Sequence, residues 1–372
     1  MTPFSRRSEW QASVNRLTAA RAERVRRGDE ILDLTLSNPT AAGLEYPLDE
    51  LSDALGRAAR EPYDPQPLGI RSAREAVAEH LRCDPADVVI TASTSEAYSF
   101  LFKLLTDPGD EIAAAVPSYP LLEHLAALEL VSLRTFPLEL HGRWELHEVH
   151  PAARTRAITI VSPNNPTGSF VRDEEMRRLA AHGLPLIVDE VFGEYALDGT
   201  VAATPPEEVL SFRLDGLSKS AGLPHYKLGW IRAAGPAPAR RAALAALELI
   251  ADNFLSVSTP VQAALPELLR IGASIRAKIR ERIVSNLRLL REAVKEQPAV
   301  TLLPVEGGWS AVLRVPAVTT DEEMALALLD RGVVVQPGYF FDFPGEGFLV
   351  ISLLTPRETF SEGLRRISFV VP

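Results

Sequence analysis

The chain has 372 residues, 46% of them hydrophobic and 24% charged, which excludes a disordered protein and allows one large core with a smaller second domain. A formal net charge of -10 argues against a nucleic-acid partner, because binding the phosphates of a nucleic-acid backbone requires a clustered basic surface. No apolar run approaches the roughly 18 residues that cross a membrane and we expect no secretory leader, so a cytoplasmic protein without membrane contacts is predicted.

The first two thirds of the chain predict an N-terminal arm followed by alternating helices and strands. Residues 8–28 have helical spacing, and residues 29–36 are expected to be extended as far as a turn at 37–40. The elements predicted after this arm are, in order, a helix at 70–81, a strand at 88–91, a helix at 96–105, a strand at 111–116, a helix at 121–128, and strands at 156–162, 186–189, 212–216 and 228–233. Such alternation is typical of an α/β fold with a mostly parallel sheet between helices, whose ligands collect at the carboxyl ends of the strands.

The C-terminal third predicts a long helical connection and a small α+β domain. Residues 240–296 are largely helical in pattern, with a break near 256–260. Beyond them we predict strands at 300–303, 310–315, 333–336 and 349–353 and helices at 321–331 and 357–367. We therefore divide the chain into an arm and part of the small domain at 1–45, a large domain at 46–255, and a connecting helix with the small C-terminal domain at 256–372.

Four motifs stand at the ends of predicted strands: residues 91–97 (TASTSEA), 162–168 (SPNNPTG), 186–190 (LIVDE) and 216–230 (GLSKSAGLPHYKLGW). Taken singly, each has an ordinary structural explanation, namely a helix N-cap, a turn rich in Asn and Pro, a strand-end turn former and a solvated loop lysine. The first motif follows a strand and opens a helix, so its N–H groups and hydroxyls are suited to a phosphate.

The last of these motifs contains two of the chain's few lysines, which suggests a chemical role for one of them. Only five of the 39 basic residues are Lys, and Lys219 and Lys227 are two of them. Lysine can lose its proton and attack a carbonyl, which arginine cannot do. Cys83 is the only cysteine, so neither a disulfide nor a metal site is expected.

Together and in this order, the four motifs resemble those of fold-type I pyridoxal-5′-phosphate (PLP) enzymes, specifically the class I/II aminotransferases, over residues from about 33 to 367. The resemblance implies a large domain with a seven-stranded, mostly parallel sheet between helices, a smaller α+β domain, and a homodimer whose active sites are completed across the interface. It also implies transfer of an amino group between an amino acid or specialised amine and a 2-oxo acid through a lysine Schiff base.

Matching the motifs residue by residue implies a site. Lys219 corresponds to the Schiff-base lysine, Asp189 to the carboxylate that bonds the pyridinium nitrogen, and Asn165 to the amide that bonds the ring hydroxyl. PLP acts as an electron sink only while its ring nitrogen stays protonated. A buried carboxylate beside this nitrogen keeps the proton on it. The remaining cofactor-binding residues that the resemblance implies are Tyr119, which stacks on the ring, Ser93, Thr94, Ser95 and Ser218 near the phosphate, and Tyr63, which reaches the neighbouring subunit's phosphate.

Four positions depart from the family pattern. Phe192 replaces a Tyr that bonds the ring oxygen, Lys227 replaces a phosphate-binding Arg, and Gly216 replaces a phosphate-bonding Ser. Val350 stands where the substrate-carboxylate Arg is expected. Either another donor binds the carboxylate, with Asn38, Arg357 or the N-terminal arm as candidates, or the substrate is not an ordinary α-amino acid.

Two other kinds of function remain open. A PLP-dependent lyase, decarboxylase or oxidase on the same fold would carry the same motifs. A non-catalytic ligand-binding domain, such as some transcription regulators borrow from aminotransferases, is disfavoured because Lys219 and Asp189 are retained and no helix-turn-helix pattern precedes residue 30.

Overall fold

The fold is described from a computed structural model, which covers Ser5, Arg7 and residues 15–197 and 199–367. The beginning of the predicted N-terminal helix, at 8–14, lies outside the described residues. The helices are α1 (Arg16–Arg27), α2 (Leu48–Ala58), α3 (Arg71–Leu81), α4 (Thr94–Leu105), α5 (Leu121–Leu128), α6 (Asp173–Ala180), α7 (Leu217–Ser220), α8 (Ala237–Asp252), α9 (Thr259–Lys295), α10 (Asp321–Asp330) and α11 (Arg357–Ile367). The strands are β1 (Leu32–Asp33), β2 (Val88–Thr91), β3 (Glu111–Val116), β4 (Ser132–Leu140), β5 (Trp144–Leu146), β6 (Thr155–Val161), β7 (Leu186–Asp189), β8 (Ser211–Gly216), β9 (Gly229–Ala234), β10 (Thr301–Leu302), β11 (Ser310–Arg314), β12 (Val333–Val334), β13 (Gln336–Pro337) and β14 (Phe348–Ser352).

The large sheet confirms the predicted α/β architecture but has one more strand than expected. Within the described residues its order is β2-β9-β8-β7-β6-β3-β4-β5, eight strands rather than seven. Neither β4 nor β5 was among the strands predicted from the pattern. β5 pairs antiparallel with the end of β4, where Trp144 and Leu146 bury their side chains beside Leu138. The other antiparallel member is β9, which pairs in that sense with both β2 and β8.

Helices cover both faces of this sheet. On one face, α4 and α8 pack against the strands, with Phe100 and Leu247 fully buried in a common apolar cluster. On the other face, α9 packs against α2 and α3 and presents Leu265, Ile275 and Ile279 to the core. Because an apolar strand covered on both faces exposes only its ends, the carboxyl ends of the strands are where polar side chains meet.

The C-terminal region forms a second, antiparallel sheet in the order β10-β11-β14-β13. The strand predicted at 333–336 is in fact two short strands, because β12 pairs with β1 while β13 joins β14. The arm is tied to this region, since the backbone N–H of Ser352 donates to the carbonyl of Leu34 at 2.6 Å. In the described ranges, no helix has the length and apolar character needed to cross a membrane.

Candidate active site

A cleft of about 430 Å³ lies where the carboxyl ends of β2, β3, β6, β7 and β8 face the small antiparallel sheet. The loops that follow these strands supply most of its polar wall, and their residues in the cleft are Ser93, Thr94, Ser95, Ser118, Tyr119, Asn165, Asp189, Phe192, Ser218 and Lys219. The volume is in the range of pockets that hold small cofactors and substrates. Most of the site residues predicted from the motifs are therefore brought together.

Lys219 lies in the short helix α7, directly after β8, and its half-buried side chain enters the cleft. The ammonium donates to the carbonyl of Ser37 at 3.5 Å and lies 4.9 Å from the ring centroid of Trp309. Burial lowers the pKa of Lys219, and the charge of Asp189 opposes that change. A lowered pKa increases the fraction of neutral amine, which is the form that attacks a carbonyl carbon.

Asp189 ends β7 and is 8% exposed. Its Oδ2 accepts from the hydroxyl of Tyr98 at 3.1 Å, and its Oδ1 accepts from the N–H of Val191 at 3.1 Å. Burial raises the pKa of Asp189 to about 6, while the two hydrogen bonds and Lys219 act in the opposite direction. Within the described residues Asp189 has no ion-pair partner, so a cation placed in the cleft beside it would gain a buried counter-charge.

The N-terminus of α4 forms one end of the cleft. Ser93 caps this helix by accepting from the N–H of Glu96 at 3.2 Å, and Thr94 and Ser95 occupy its first turn. Lys227, held in a left-handed conformation with φ of 51°, also lines the cleft, and its ammonium has no acidic partner among the described residues. A helix N-terminus with free hydroxyls and a lysine is a suitable donor set for a phosphate dianion.

Two glycines allow this close assembly. A Cβ on Gly229 would lie 3.1–3.2 Å from the Ser93 carbonyl carbon and the Thr94 nitrogen, and one on Gly216 would lie 2.8 Å from the Gly229 Cα. The backbones of β8, β9 and the α4 turn therefore touch at this point. A side chain at position 216, such as the serine that the family pattern implies there, would require β9 to shift.

The remaining predicted ring contacts surround the middle of the cleft. The Oδ1 of Asn165 accepts from the Ser310 hydroxyl at 3.4 Å, which leaves the amide NH2 for a ring oxygen. Phe192 packs edge-on against Trp309, with ring centroids 5.4 Å apart. Tyr119 stands at the rim and is 50% exposed, so it is placed to cover a bound ring.

Three predicted residues do not reach this cleft in their own chain. Tyr63 is 75% exposed and borders a separate small depression beside Gly69. The Asn38 side chain is used locally, because its Oδ1 accepts from both the N–H and the hydroxyl of Thr40. Arg357 donates to the hydroxyl of Ser285 at 3.0 Å at the start of α11. The structure therefore gives no support to Asn38 and Arg357 as substrate-binding residues.

Val350 is not a cleft residue either. It is 1% exposed in β14, where it pairs with Val312 and Gln336 and packs in an apolar cluster with Phe341 and Phe348. Its neighbours Gln336 and Ser352 line the cleft instead.

Tyr98, Ser310 and Gln336 are among the polar residues that line the cleft but were not singled out from the sequence. Tyr98 carries a weak signal, because it lies one helical turn after Thr94 in α4 and so shares its face. Ser310 and Gln336 lie in β11 and β13, and which face of the small sheet they occupy could not be deduced without the pairing of its strands.

A lysine after one central strand, a carboxylate at the end of its neighbour and a helix N-terminus beside them define a fold-type I PLP site. A model of the family "Aminotransferase class I and II" matches residues 38–367, and the chain belongs to this family. It is 28% identical over 295 residues to the glutamate-pyruvate aminotransferase AlaA of Haemophilus influenzae, covering 74% of this chain and 72% of that one. It is also 29% identical to the aspartate/prephenate aminotransferase of Thermus thermophilus, covering 93% and 92%.

Solved structures agree in fold. The alanine aminotransferase of Pyrococcus furiosus superposes with a TM-score of 0.87 at 23% identity, covering 98% of both chains. The chain is accordingly a PLP-dependent aminotransferase. The residues fit the cofactor, because the buried carboxylate, the amine and the phosphate donors lie in one cleft.

Proposed function

We propose that this aminotransferase uses Lys219 as the covalent attachment point of the cofactor and as the group that moves the proton in the reaction. The observation that carries the proposal is that the Lys219 amine and the Asp189 carboxylate, each with a pKa altered by burial, line the same cleft. PLP supplies the electron sink when bound. The substrates are a primary amine and a 2-oxo acid.

Each residue has a definite task in this proposal. Asp189 holds a proton on the pyridine nitrogen by offering a buried negative charge. Thr94, Ser95 and Lys227 bind the phosphate and so fix the ring's position. Lys219 would hold the cofactor covalently and, when its amine is free, would move the proton between the substrate Cα and the cofactor's C4′ carbon. Trp309 and Phe192 supply an apolar wall beside the lysine.

The reaction type is tested by mixing the holoenzyme with a panel of amino donors and following the cofactor's visible spectrum without any acceptor. We expect conversion of the cofactor to its amine form, and restoration of the starting spectrum when a 2-oxo acid is added. Release of CO2, ammonia or peroxide in the absence of an acceptor would contradict transamination and favour a lyase, decarboxylase or oxidase. The Lys219→Ala variant is the control and should show no conversion.

The exposed position of Tyr63 supports a homodimer in which each cleft receives this residue from the other subunit. Phe254, 52% exposed, and Leu255 lie near the same surface depression, and apolar groups of this size are suited to a contact between subunits.

Hybrid dimers test this arrangement. Lys219→Ala chains mixed with Tyr63→Phe chains would contain one intact site only if Tyr63 acts across the interface. Recovery of activity in the hybrid is expected, whereas a monomer in light scattering or a hybrid without recovery would contradict the proposal.

A further inference from the structure

The backbone of Lys219 is held by a side chain from the loop after the neighbouring strand. The hydroxyl of Tyr195 donates to the carbonyl of Lys219 at 2.7 Å. Resting on the proposed function above, we propose that Tyr195 is a positioning residue for the reaction. Its hydroxyl fixes the peptide group from which the Lys219 side chain reaches the reacting atoms, and the rate of proton transfer depends on this bond.

The Lys219 carbonyl has two donors. It accepts from the N–H of Gly222 at 3.1 Å within the turn that follows α7, and the Tyr195 hydroxyl adds the shorter bond of 2.7 Å. A carbonyl oxygen has two lone pairs, so two donors in different directions determine how the peptide group is oriented. Without the hydroxyl, the longer bond from within the turn would hold this group alone.

Tyr195 joins two segments where their pairing has ended. The parallel ladder between β7 and β8 ends at Asp189 and Leu214, and β8 continues for two more residues before α7 begins. Tyr195 ends a short 3₁₀ helix (Gly193–Tyr195) in the loop after β7. Its hydroxyl bond therefore connects the segment that carries the Asp189 carboxylate to the turn that carries the Lys219 amine.

The ring of Tyr195 lies against the aromatic residue beside the lysine amine. This ring is fully buried and packs edge-on against Trp309, with ring centroids 5.2 Å apart. The Trp309 ring centroid in turn lies 4.9 Å from the Lys219 ammonium. The carbonyl of Tyr195 accepts from the N–H of Gly308 at 3.1 Å, which fixes its backbone as well. One residue thus contacts both the backbone of Lys219 and the aromatic wall beside its amine.

Helix α9 holds the residues that follow Lys219 in the same turn. Arg276 donates to the carbonyl of Ser220 at 3.0 Å. A Cβ on Gly272 would collide with Ala221, so the helix and the turn are in close contact there. Because residues 220 and 221 are held by α9, the freedom that the Tyr195 hydroxyl removes is that of the Lys219 peptide itself.

The position of the amine matters because of the task proposed for it. A group that moves a proton must lie within hydrogen-bonding reach of the atoms that exchange it. A displacement of about 1 Å can slow such a step by about 100-fold. Tyr195 is not among the residues that line the cleft in the described chain, so we expect its hydroxyl to affect proton transfer and not the binding of substrate.

The Tyr195→Phe variant removes the hydroxyl and keeps the ring against Trp309. The amino donor that converts wild-type holoenzyme fastest is supplied with hydrogen or with deuterium at Cα, and the cofactor's spectral conversion is followed over a single turnover. We expect the limiting rate constant to fall by at least about tenfold, with the half-saturating concentration within about twofold of wild type. The deuterium isotope effect should be as large as in wild type or larger. An unchanged rate constant, or a slower one without an isotope effect, would overturn the inference.

A second measurement follows the lysine in the cofactor-free protein. The chain has only five lysines, so the ε-CH2 signals of carbon-13-labelled lysine can be resolved by NMR and that of Lys219 assigned by its loss in Lys219→Ala. An aromatic ring shifts the signals of nearby protons, and the Trp309 ring lies beside this amine. In Tyr195→Phe we expect the Lys219 signal to move toward that of the exposed Lys295. The same position in both proteins would overturn the inference.

Tyr46→Phe is the control for both measurements. The Tyr46 hydroxyl also donates to a backbone carbonyl at 2.7 Å, but to that of Gly222, three residues after Lys219. This variant should leave the rate constant and the Lys219 signal as they are in wild type. Equal changes in the two variants would mean a general loosening of the turn and would overturn the assignment to Tyr195.

The two proposals fail differently. If Lys219→Ala still converts the cofactor, the proposed role of Lys219 is wrong and this inference is overturned with it. If Lys219→Ala shows no conversion but Tyr195→Phe behaves as wild type in both measurements, the proposed function stands and only the role of Tyr195 is wrong.

Discussion

The hydroxyl of Tyr98 donates to Oδ2 of Asp189 at 3.1 Å. Tyr98 is 5% exposed in α4, and the first turn of the same helix carries Thr94 and Ser95. One helix therefore carries both the turn that we propose binds the phosphate and the hydrogen-bond partner of the carboxylate that we propose binds the ring nitrogen.

Replacing Tyr98 by Phe should weaken cofactor binding by about tenfold, because the hydrogen bond it removes stabilises the charged form of Asp189. The pKa of Asp189 should rise in the cofactor-free protein. Carbon-13 NMR of labelled aspartate measures the pKa, and equilibrium dialysis measures the affinity. Tyr46→Phe, which loses a hydroxyl bond to the Gly222 carbonyl instead, is the control. An unchanged pKa in Tyr98→Phe would contradict the role of this contact.

The charge of Asp189 should destabilise the cofactor-free protein at neutral pH. The carboxyl loses its proton near pH 3.8 in the unfolded chain and near pH 6 in the folded one. The folded chain thus holds more protons between these values, and its stability falls as the pH rises through this window.

Asp189→Asn removes this dependence. The free energy of unfolding of the variant should exceed that of wild type, and this excess should be about 1 kcal/mol larger at pH 7.5 than at pH 5. Urea unfolding of both cofactor-free proteins at the two pH values provides the comparison. If the variant and wild type differ in their free energy of unfolding by the same amount at both pH values, the pKa of Asp189 is not raised in the folded protein.

Phe192→Tyr should lower the pH at which the covalent link between Lys219 and the cofactor loses its proton. A phenol beside the ring oxygen stabilises the more negative, deprotonated form, so its absence in wild type raises that pKa. Spectral titration of both holoenzymes decides the matter. A wild-type pKa equal to or below that of the variant would place Phe192 away from the ring oxygen.

Val350→Arg should destabilise the protein by roughly 2 kcal/mol or more, because Val350 is 1% exposed and its described neighbours form an apolar cluster in which a guanidinium would lose its hydration. Thermal unfolding measures the loss. Thr301→Arg, on the exposed edge strand β10, is the matched control and should have little effect. A stable Val350→Arg variant would mean that position 350 opens into the cleft.

The parts of the site that the sequence predicts are those that follow strand ends. Asp189, Asn165 and Lys219 each come directly after an apolar run, and parallel strands bring their carboxyl ends to one edge, so their proximity follows from the pattern alone. Gln336 and Ser310 could not be found in this way. Which face of the small sheet each side chain occupies depends on the register of short strands that come from distant segments of the chain.

Asn38 and Arg357, the candidate substrate-binding residues, do not line the cleft in the described chain. The Oδ1 of Asn38 accepts from the N–H and the hydroxyl of Thr40 within its own turn. Two strands of the large sheet, β4 and β5, were not predicted from the pattern. β4 buries only Phe136 and Leu138 of its nine residues, and β5 has three residues, too few to establish an alternation.

The covalent attachment of the cofactor to Lys219 is the central claim, and one measurement tests it directly. The holoenzyme is reduced with borohydride, digested and mapped by mass spectrometry. The account predicts a pyridoxyl group on the peptide that contains Lys219, and none in Lys219→Ala. A label on Lys227 or Lys103, or no label on any peptide, would contradict it.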